Sequence, residues 1–288
     1  MDATAHSPGF ESGADGDIPA ASNCSGGTVS SAALPLSDPR RPQIGYRPLK
    51  AWHHFRQLVK NKEDTSEVFR IFESLPWKGL PAAARQFLSG ERGRAIMASE
   101  PSLVGILDDH AALRAMPAGS LAHAYCDFME SEGLTAQGLV DEFDRFMADR
   151  PDYRDQMALY LNRLRDTHDL LHVLTGYGRD ALGEQCVLAF TYSQQPAPAH
   201  LLIAYAGAHE IAKRAPSSPV YRAVREAQKL GKACPRVAEL AVREWLPLPL
   251  EQVRATLNIA PPAYYRECHR IWQKAGVDPY QVLRPQAA

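Results

Sequence analysis

No C-x-x-C pair occurs among the five cysteines, Cys24, Cys126, Cys186, Cys234 and Cys268. An odd number of scattered thiols argues against a disulfide framework and a thiolate zinc cluster, and it fits a reducing cytosol. A surplus of positive charge is missing too: 32 Lys and Arg face 33 Asp and Glu, for a net charge of −1. Duplex nucleic acid is held by clustered basic residues, so nucleic acid is not an expected partner. Long apolar runs are absent. The nearest to one, Ala199 to Ala208, is interrupted by His200 and followed by His209, and it falls well short of the roughly 18 residues that cross a bilayer. The opening "MDATAHSPGFESGADGD" has neither the basic start and apolar core of a secretion signal nor the Arg-rich pattern of a transit peptide, so a cytoplasmic location is expected. Alternating strand patterns rich in Val, Ile and Thr are nearly absent, and no internal repeat is visible.

What remains is an ordinary globular composition, 45% apolar and 23% charged in 288 residues, enough to bury one sizeable core. Residues 1–44 are rich in Gly, Ser, Ala, Pro and Asp and poor in large apolar groups. They cannot recover the entropy lost on ordering and are expected to be a disordered tail. Residues 45–288 are expected to form a single all-α domain of about ten helices. Trp52, Phe55, Leu58 and Val59 recur at helical spacing, and Val68, Phe69, Phe72 and Leu75 do so again after "EDTSE". Pro81 marks a further helix start, Ser120 is a candidate N-cap for a helix bearing Leu121, Tyr125 and Phe128, and Gly133 is its candidate stop.

The chemistry concentrates in "RDTHDLLHVLTGYGRDALGE", Arg165 to Glu184. One helix is expected over Tyr153–Thr175, with Tyr160, Leu164, His168, Leu171, His172 and Thr175 on its inward stripe. His172 lies one turn beyond His168, about 40° round, and Asp169 borders the same face. Gly176 and Gly178 stop that helix, a second starts near Asp180, and a short αα connection returns Glu184 to the imidazoles. Two imidazoles at i and i+4 with carboxylates in reach match a divalent metal such as zinc, with positions left for water or substrate. A lone histidine is more often a hydrogen-bonded core residue, and bare H-x-x-x-H spacing is often accidental. Asp169 and Glu184 turn the balance, because unpaired buried carboxylates are costly and a metal offsets that cost.

Three known motifs come close and fail. A metalloprotease H-E-x-x-H needs Glu as general base, and position 169 is Asp, one methylene shorter. A histidine–aspartate phosphohydrolase needs further ligands on separate helices, and His110 and Asp141 have no supporting context. A di-iron carboxylate bundle wants paired Glu and E-x-x-H on four helices, which this chain lacks.

His168-Asp-Leu-Leu-His172, eleven residues, then Glu184 resembles the H-D-x-x-H-x11-E motif of the ubiquinone biosynthesis protein 4 family. "MPAGSLAHAYCDFM" is similar to the family's P-x-G-S-L-G segment, "YLNRLRDTHDLLHVLTG" to its R-Y-R-E-x-H-D-x-x-H helix, and "AVREWLPLPLEQVRATLNIAPP" to its tail. The likeness covers most of residues 100–262. It departs in R-D-T-H-D where R-E-x-H-D is common, and at Ala122 where Gly is usual. No mitochondrial targeting segment is seen, which fits a bacterial-type member.

The resemblance implies a helical protein, peripheral to the inner membrane, in a ubiquinone-synthesising assembly with other enzymes of that pathway. It implies a polyprenyl-tailed aromatic substrate and a divalent metal, zinc foremost, at His168, Asp169, His172 and Glu184, with room left for a homodimer. The implied reaction is oxidative decarboxylation at ring carbon 1 of a 4-hydroxy-3-polyprenylbenzoate derivative, hydroxyl replacing carboxylate, with Asp169 as proton shuttle and dioxygen as oxidant. The alternative is a non-catalytic scaffold that binds prenyl lipid and organises the pathway's enzymes. "HLLIAYAGAHEIA" and "EVFRIFESLPWKGL" are candidates to line a lipid channel, and "LKAWHHFRQLVKNK" has the character of an interfacial helix, although core packing explains such stripes more often.

Overall fold

Side-chain caps decide where many helices of this chain begin. The computed structural model describes residues 34–61 and 64–283, and among them there is no β-strand, only one isolated antiparallel bridge between Ser120 and Pro249. The first part comprises α1 (Pro48–Lys60), α2 (Thr65–Ser74), α3 (Leu80–Ser89), α4 (Glu91–Ser99), α5 (Leu103–Leu107) and α6 (His110–Arg114). The middle holds α7 (Leu121–Glu132), α8 (Ala136–Met147), α9 (Gln156–Asp166) and α10 (His168–Thr175). The last part holds α11 (Ala181–Gln194), α12 (Pro198–Arg214), α13 (Val220–Ala233), α14 (Val242–Trp245), α15 (Leu250–Thr256) and α16 (Ala263–Ala275). Asp64, Ser102, Asp109, Ser120, Thr135, Asp155 and Asp180 each accept a hydrogen bond from the first turn they precede, satisfying otherwise orphaned N–H groups. Proline opens α1, α3 and α12, where its missing N–H is no loss.

The all-α architecture is the expected one, but it is divided more finely than about ten helices. α5, α6 and α14 run only four or five residues. The helix expected over Tyr153–Thr175 is split at Thr167 into α9 and α10. There the Thr167 hydroxyl donates to the carbonyls of Arg163 and Leu164, both at 3.1 Å. Such back-bonding by threonine competes with the main-chain ladder and bends the helix.

Of the residues expected to belong to the disordered tail, 35–41 make hydrogen bonds to the start of α9. The N–H groups of Gln156 and Met157 donate to the carbonyls of Pro35 and Leu36 at 2.9 and 3.2 Å. The Asp38 N–H donates to Asp155 Oδ2 at 2.7 Å, and Arg41 reaches Asp155 Oδ1 at 2.8 Å. The start of α9 has orphan N–H groups, and an extended segment supplies the acceptors whatever its apolar content. Residues 1–33 of the expected tail lie outside the described residues.

The largest core joins α7, α10, α11, α13, α15 and α16 around Tyr125, Leu182, Phe190, Val224 and Trp272, all 0–1% exposed. A second packs α3 on α9 through Phe87 and Tyr160, and a third packs α1 and α2 on α12 through Phe55, Ile71 and Ile203. Between the second and third cores the helices do not close.

Candidate metal centre

His168 and His172 stand one turn apart on α10, and Gly176 ends that helix in the left-handed conformation (φ 73°) that glycine adopts without steric cost. The chain turns through Tyr177 and Gly178 into α11, which Asp180 caps by accepting from Leu182 and Gly183. Glu184 follows in the first turn of α11. Its Oε2 lies 3.6 Å from His172 Nε2 and 3.7 Å from His168 Nε2, and the two Nε2 atoms are 3.3 Å apart. His172 is fully buried, while His168 and Glu184 face the cavity described below.

The shell behind these groups fixes how they present themselves. His172 Nδ1 lies 3.0 Å from the Tyr177 carbonyl. A carbonyl only accepts, so that nitrogen carries the proton and Nε2 keeps its lone pair toward the site, the tautomer a metal requires. The Phe128 ring of α7 stacks on the His172 ring at 5.4 Å. Burial by itself would lower the pKa of His172, but Glu184, with Asp169 and the Tyr177 carbonyl, outweighs it and raises it. Burial would likewise raise Glu184, and the two imidazoles hold its carboxyl well below the usual carboxylate range instead. Arg179 Nε stands 3.8 Å from Glu184 Oε1.

Three of the four proposed ligands, His168, His172 and Glu184, offer donor atoms within 4.8 Å of one another. The carboxylate of Asp169 is not in that cluster; Asp169 lines the adjoining cavity beside His168. On α10 its Cα is rotated about 100° from that of His168, so it borders the ligand face without sharing it. The donor set of two imidazoles and a carboxylate suits zinc or a similar divalent ion.

The gap between the cores is a cavity of about 1380 Å³ with this cluster in its wall. Phe72 and Trp77 come from "EVFRIFESLPWKGL", Ile203 from "HLLIAYAGAHEIA" and Phe55 from α1, so each stretch weighed as a channel lining contributes wall residues. Phe143 and Phe146 of α8 complete the apolar side. His200 also lines it; burial holds its imidazole pKa down at about 3, so that ring is neutral.

Sequence reasoning missed the support from the far end of the chain. Tyr265 of α16 donates to Asp180 Oδ2 and accepts from the Gly178 N–H at 3.0 Å, and His269 Nε2 stands 3.3 Å from the same Asp180 oxygen. These partners are 85 and 87 residues away in sequence, and no local pattern announces them.

The family profile of coenzyme Q (ubiquinone) biosynthesis protein Coq4 matches residues 57–263, which include the whole cluster. The chain belongs to the Coq4 family. The match begins well before residue 100, where the sequence motifs start, so α2 to α4 and the end of α1 lie within it as well. The mosquito Culex quinquefasciatus has a mitochondrial COQ4 homolog 2 that is 35% identical over 108 residues, 38% of this chain and 45% of that protein. The Bos taurus mitochondrial COQ4 homolog is 26% identical over 170 residues, 59% of this chain and 62% of its own. The matched stretches thus span under half of the mosquito relative's length and under two thirds of the bovine one's. A crystal structure of a candidate ubiquinone biosynthesis protein from Nostoc punctiforme shares the fold, with a TM-score of 0.53 and 17% identity over 75% of this chain and 99% of that one. Among the described residues no helix is long and apolar enough to cross a membrane.

Proposed function

We propose that this Coq4-family chain acts in ubiquinone biosynthesis as a metal-dependent enzyme that removes the ring carboxylate of a 4-hydroxy-3-polyprenylbenzoate-type precursor and leaves a hydroxyl. The observation that carries this reading is the opening of the His168–His172–Glu184 cluster onto one large apolar cavity. A prenylated aromatic acid has a matching shape, an anionic head for the cluster and an oily tail for the phenylalanine-lined wall.

His168, His172 and Glu184 would hold the ion, zinc in the first instance. When bound, it supplies Lewis-acid stabilisation of negative charge on the substrate's carboxylate or phenolate. The Tyr177 carbonyl and the Phe128 ring keep His172 oriented for this. Asp169, on the wall beside His168, would move a proton to or from the ring oxygen. The exchange of carboxylate for hydroxyl is a two-electron oxidation that would release carbon dioxide; since zinc exchanges no electrons, dioxygen is the proposed acceptor, reduced to hydrogen peroxide while water supplies the hydroxyl oxygen.

α1 supports a peripheral place on the inner-membrane surface, where such a substrate and the pathway's other enzymes reside. Leu49 is 86% exposed and Trp52 47%, with Lys50 and Arg56 nearby in the same helix, while Phe55, Leu58 and Val59 line the cavity. An apolar and basic outer face is what an interfacial helix presents to lipid.

Two substitutions test the catalytic reading. His172→Ala, and His168→Ala at the more accessible ring, are each expected to lose the metal and the decarboxylation while keeping the helical fold and prenyl-lipid binding. A folded, metal-free variant with full turnover overturns it. Loss of fold and assembly together, with no turnover in any preparation of the parent protein, favours the scaffold alternative.

A further inference from the structure

A second group of ligating side chains lies outside the cavity wall and outside the H-D-x-x-H-x11-E motif. His110 opens α6, and Cys126 and Glu130 stand one turn apart on α7. One ligand atom from each, an imidazole nitrogen, a thiol sulfur and a carboxylate oxygen, lies within 4.8 Å of the other two. The closest pair is His110 Nδ1 and Glu130 Oε1, at 3.1 Å.

Their burial is graded. Cys126 is completely buried, whereas the His110 and Glu130 side chains are 28% and 51% exposed. An ion therefore has a way in from solvent past the imidazole and carboxylate, with the sulfur closing the inner side. Arg114 holds Glu130 Oε2 at 2.7 Å and Asp127 Oδ1 at 2.6 Å, which leaves Oε1 turned toward His110.

We propose that His110, Cys126 and Glu130 form a second binding site for a thiophilic divalent cation of the zinc class, with its fourth position left to water. The scarcity of C-x-x-C pairs does not bear on such a site, since it takes one thiolate in a mixed set. Cys126 and Glu130 are each two residues from Phe128, about 200° round the helix, and the Phe128 ring stacks on His172. One face of α7 thus touches the first centre while the other carries the second. An ion there ties α6 to α7 and steadies the helix that supports His172.

Cobalt(II) separates the two sites, because a thiolate ligand gives sulfur-to-metal charge-transfer absorption and the His168–His172–Glu184 set contains no sulfur. Titration of the metal-free full chain is expected to fill two equivalents, one of which brings up that band. Cys126→Ser and His110→Ala should each abolish the band and one equivalent, and His172→Ala should leave the band intact. His110→Ala trims a partly exposed ring, so it keeps the test decisive where a core substitution at Cys126 impairs folding. A folded full chain that saturates with cobalt without the band overturns the proposal, as does a band that survives Cys126→Ser. Neither result touches the catalytic reading, which stands or falls on the His168 and His172 variants.

Discussion

Where α11 meets α13, the two backbones leave no room for a side chain: a Cβ on Gly231 would come within 2.2 Å of the Phe190 carbonyl oxygen, and Phe190, Cys186, Ala223 and Val224 are all 0% exposed. Across the cavity, α2 meets α8 through ring edges, with Phe69 5.3 Å from Phe143 and 5.2 Å from Phe146, and all three rings border empty volume. One wall is close-packed like an organic crystal and the other is not. The close-packed wall carries Glu184 on α11, so that carboxylate is aimed from a helix with little room to shift. The loose wall borders the space that the proposed prenylated substrate would need, and its aromatic rings are not locked by close packing.

Truncating one phenylalanine on each side breaks or sharpens this contrast. Phe190→Ala is expected to destabilise by about 4 kcal/mol, since it opens a void that its neighbours cannot fill. Gly231→Ala comes next, at about 2 kcal/mol, although helix propensity alone would make alanine stabilising. The Phe190 carbonyl that obstructs the new methyl is main chain and cannot swing away. Tyr265→Phe should cost about 1–2 kcal/mol, because the Gly178 N–H loses its acceptor and Asp180 one of its donors. It should also weaken metal binding, as Asp180 caps the helix that presents Glu184. Phe69→Ala should cost about 1 kcal/mol, well below the usual 3–5 kcal/mol for a buried phenylalanine, because that ring already borders a cavity. Chemical denaturation of the four variants under one condition checks the order, and equal costs for Phe190→Ala and Phe69→Ala would erase the distinction between the walls.

The fold class and the pairing of His168, His172 and Glu184 were legible because helical periodicity and i, i+4 spacing are local. Ser120, Gly133, Asp180 and Gly176 act at the ends where the sequence puts them, for the same reason: caps are decided within one turn. The break at Thr167 escaped because one hydroxyl bonding backward costs the hydrophobic stripe nothing, and the stripe reads straight through it. Tyr265 and the Tyr177 carbonyl escaped for two different reasons, the one being remote in sequence and the other a backbone atom whose residue type is irrelevant. The cavity escaped because the same apolar stripe that fills a core can line a void. Only the distance between helices separates the two, and no local pattern sets it.

The smallest expected effect concerns the rim of the loose wall, where residues 35–41 lie over the start of α9. Burial by itself would raise the Asp155 carboxyl, but the Arg41 guanidinium and the N–H groups of Asp38 and Ala158 outweigh it and hold its pKa below the ordinary carboxylate value. A carboxyl depressed in the folded state favours folding at every pH above its unfolded value, and that contribution disappears as pH falls through the depressed folded value. Acid should therefore release residues 35–41 before it melts the helices, because Asp155 anchors this segment through both Asp38 and Arg41, whereas it gives α9 a single capping bond to the Ala158 N–H. Arg41 also borders the cavity, so the release should widen the loose wall and leave the α11–α13 side closed. Hydrogen exchange read by mass spectrometry at stepwise lower pH should show protection lost first at Asp38 and its neighbours. Asp155→Asn should show the same loss already at neutral pH, and the acid dependence left in that segment should be that of Asp38, whose carboxyl Arg40 holds down at about 2. Simultaneous loss across α11 and α13 would mean that the two walls open as one unit.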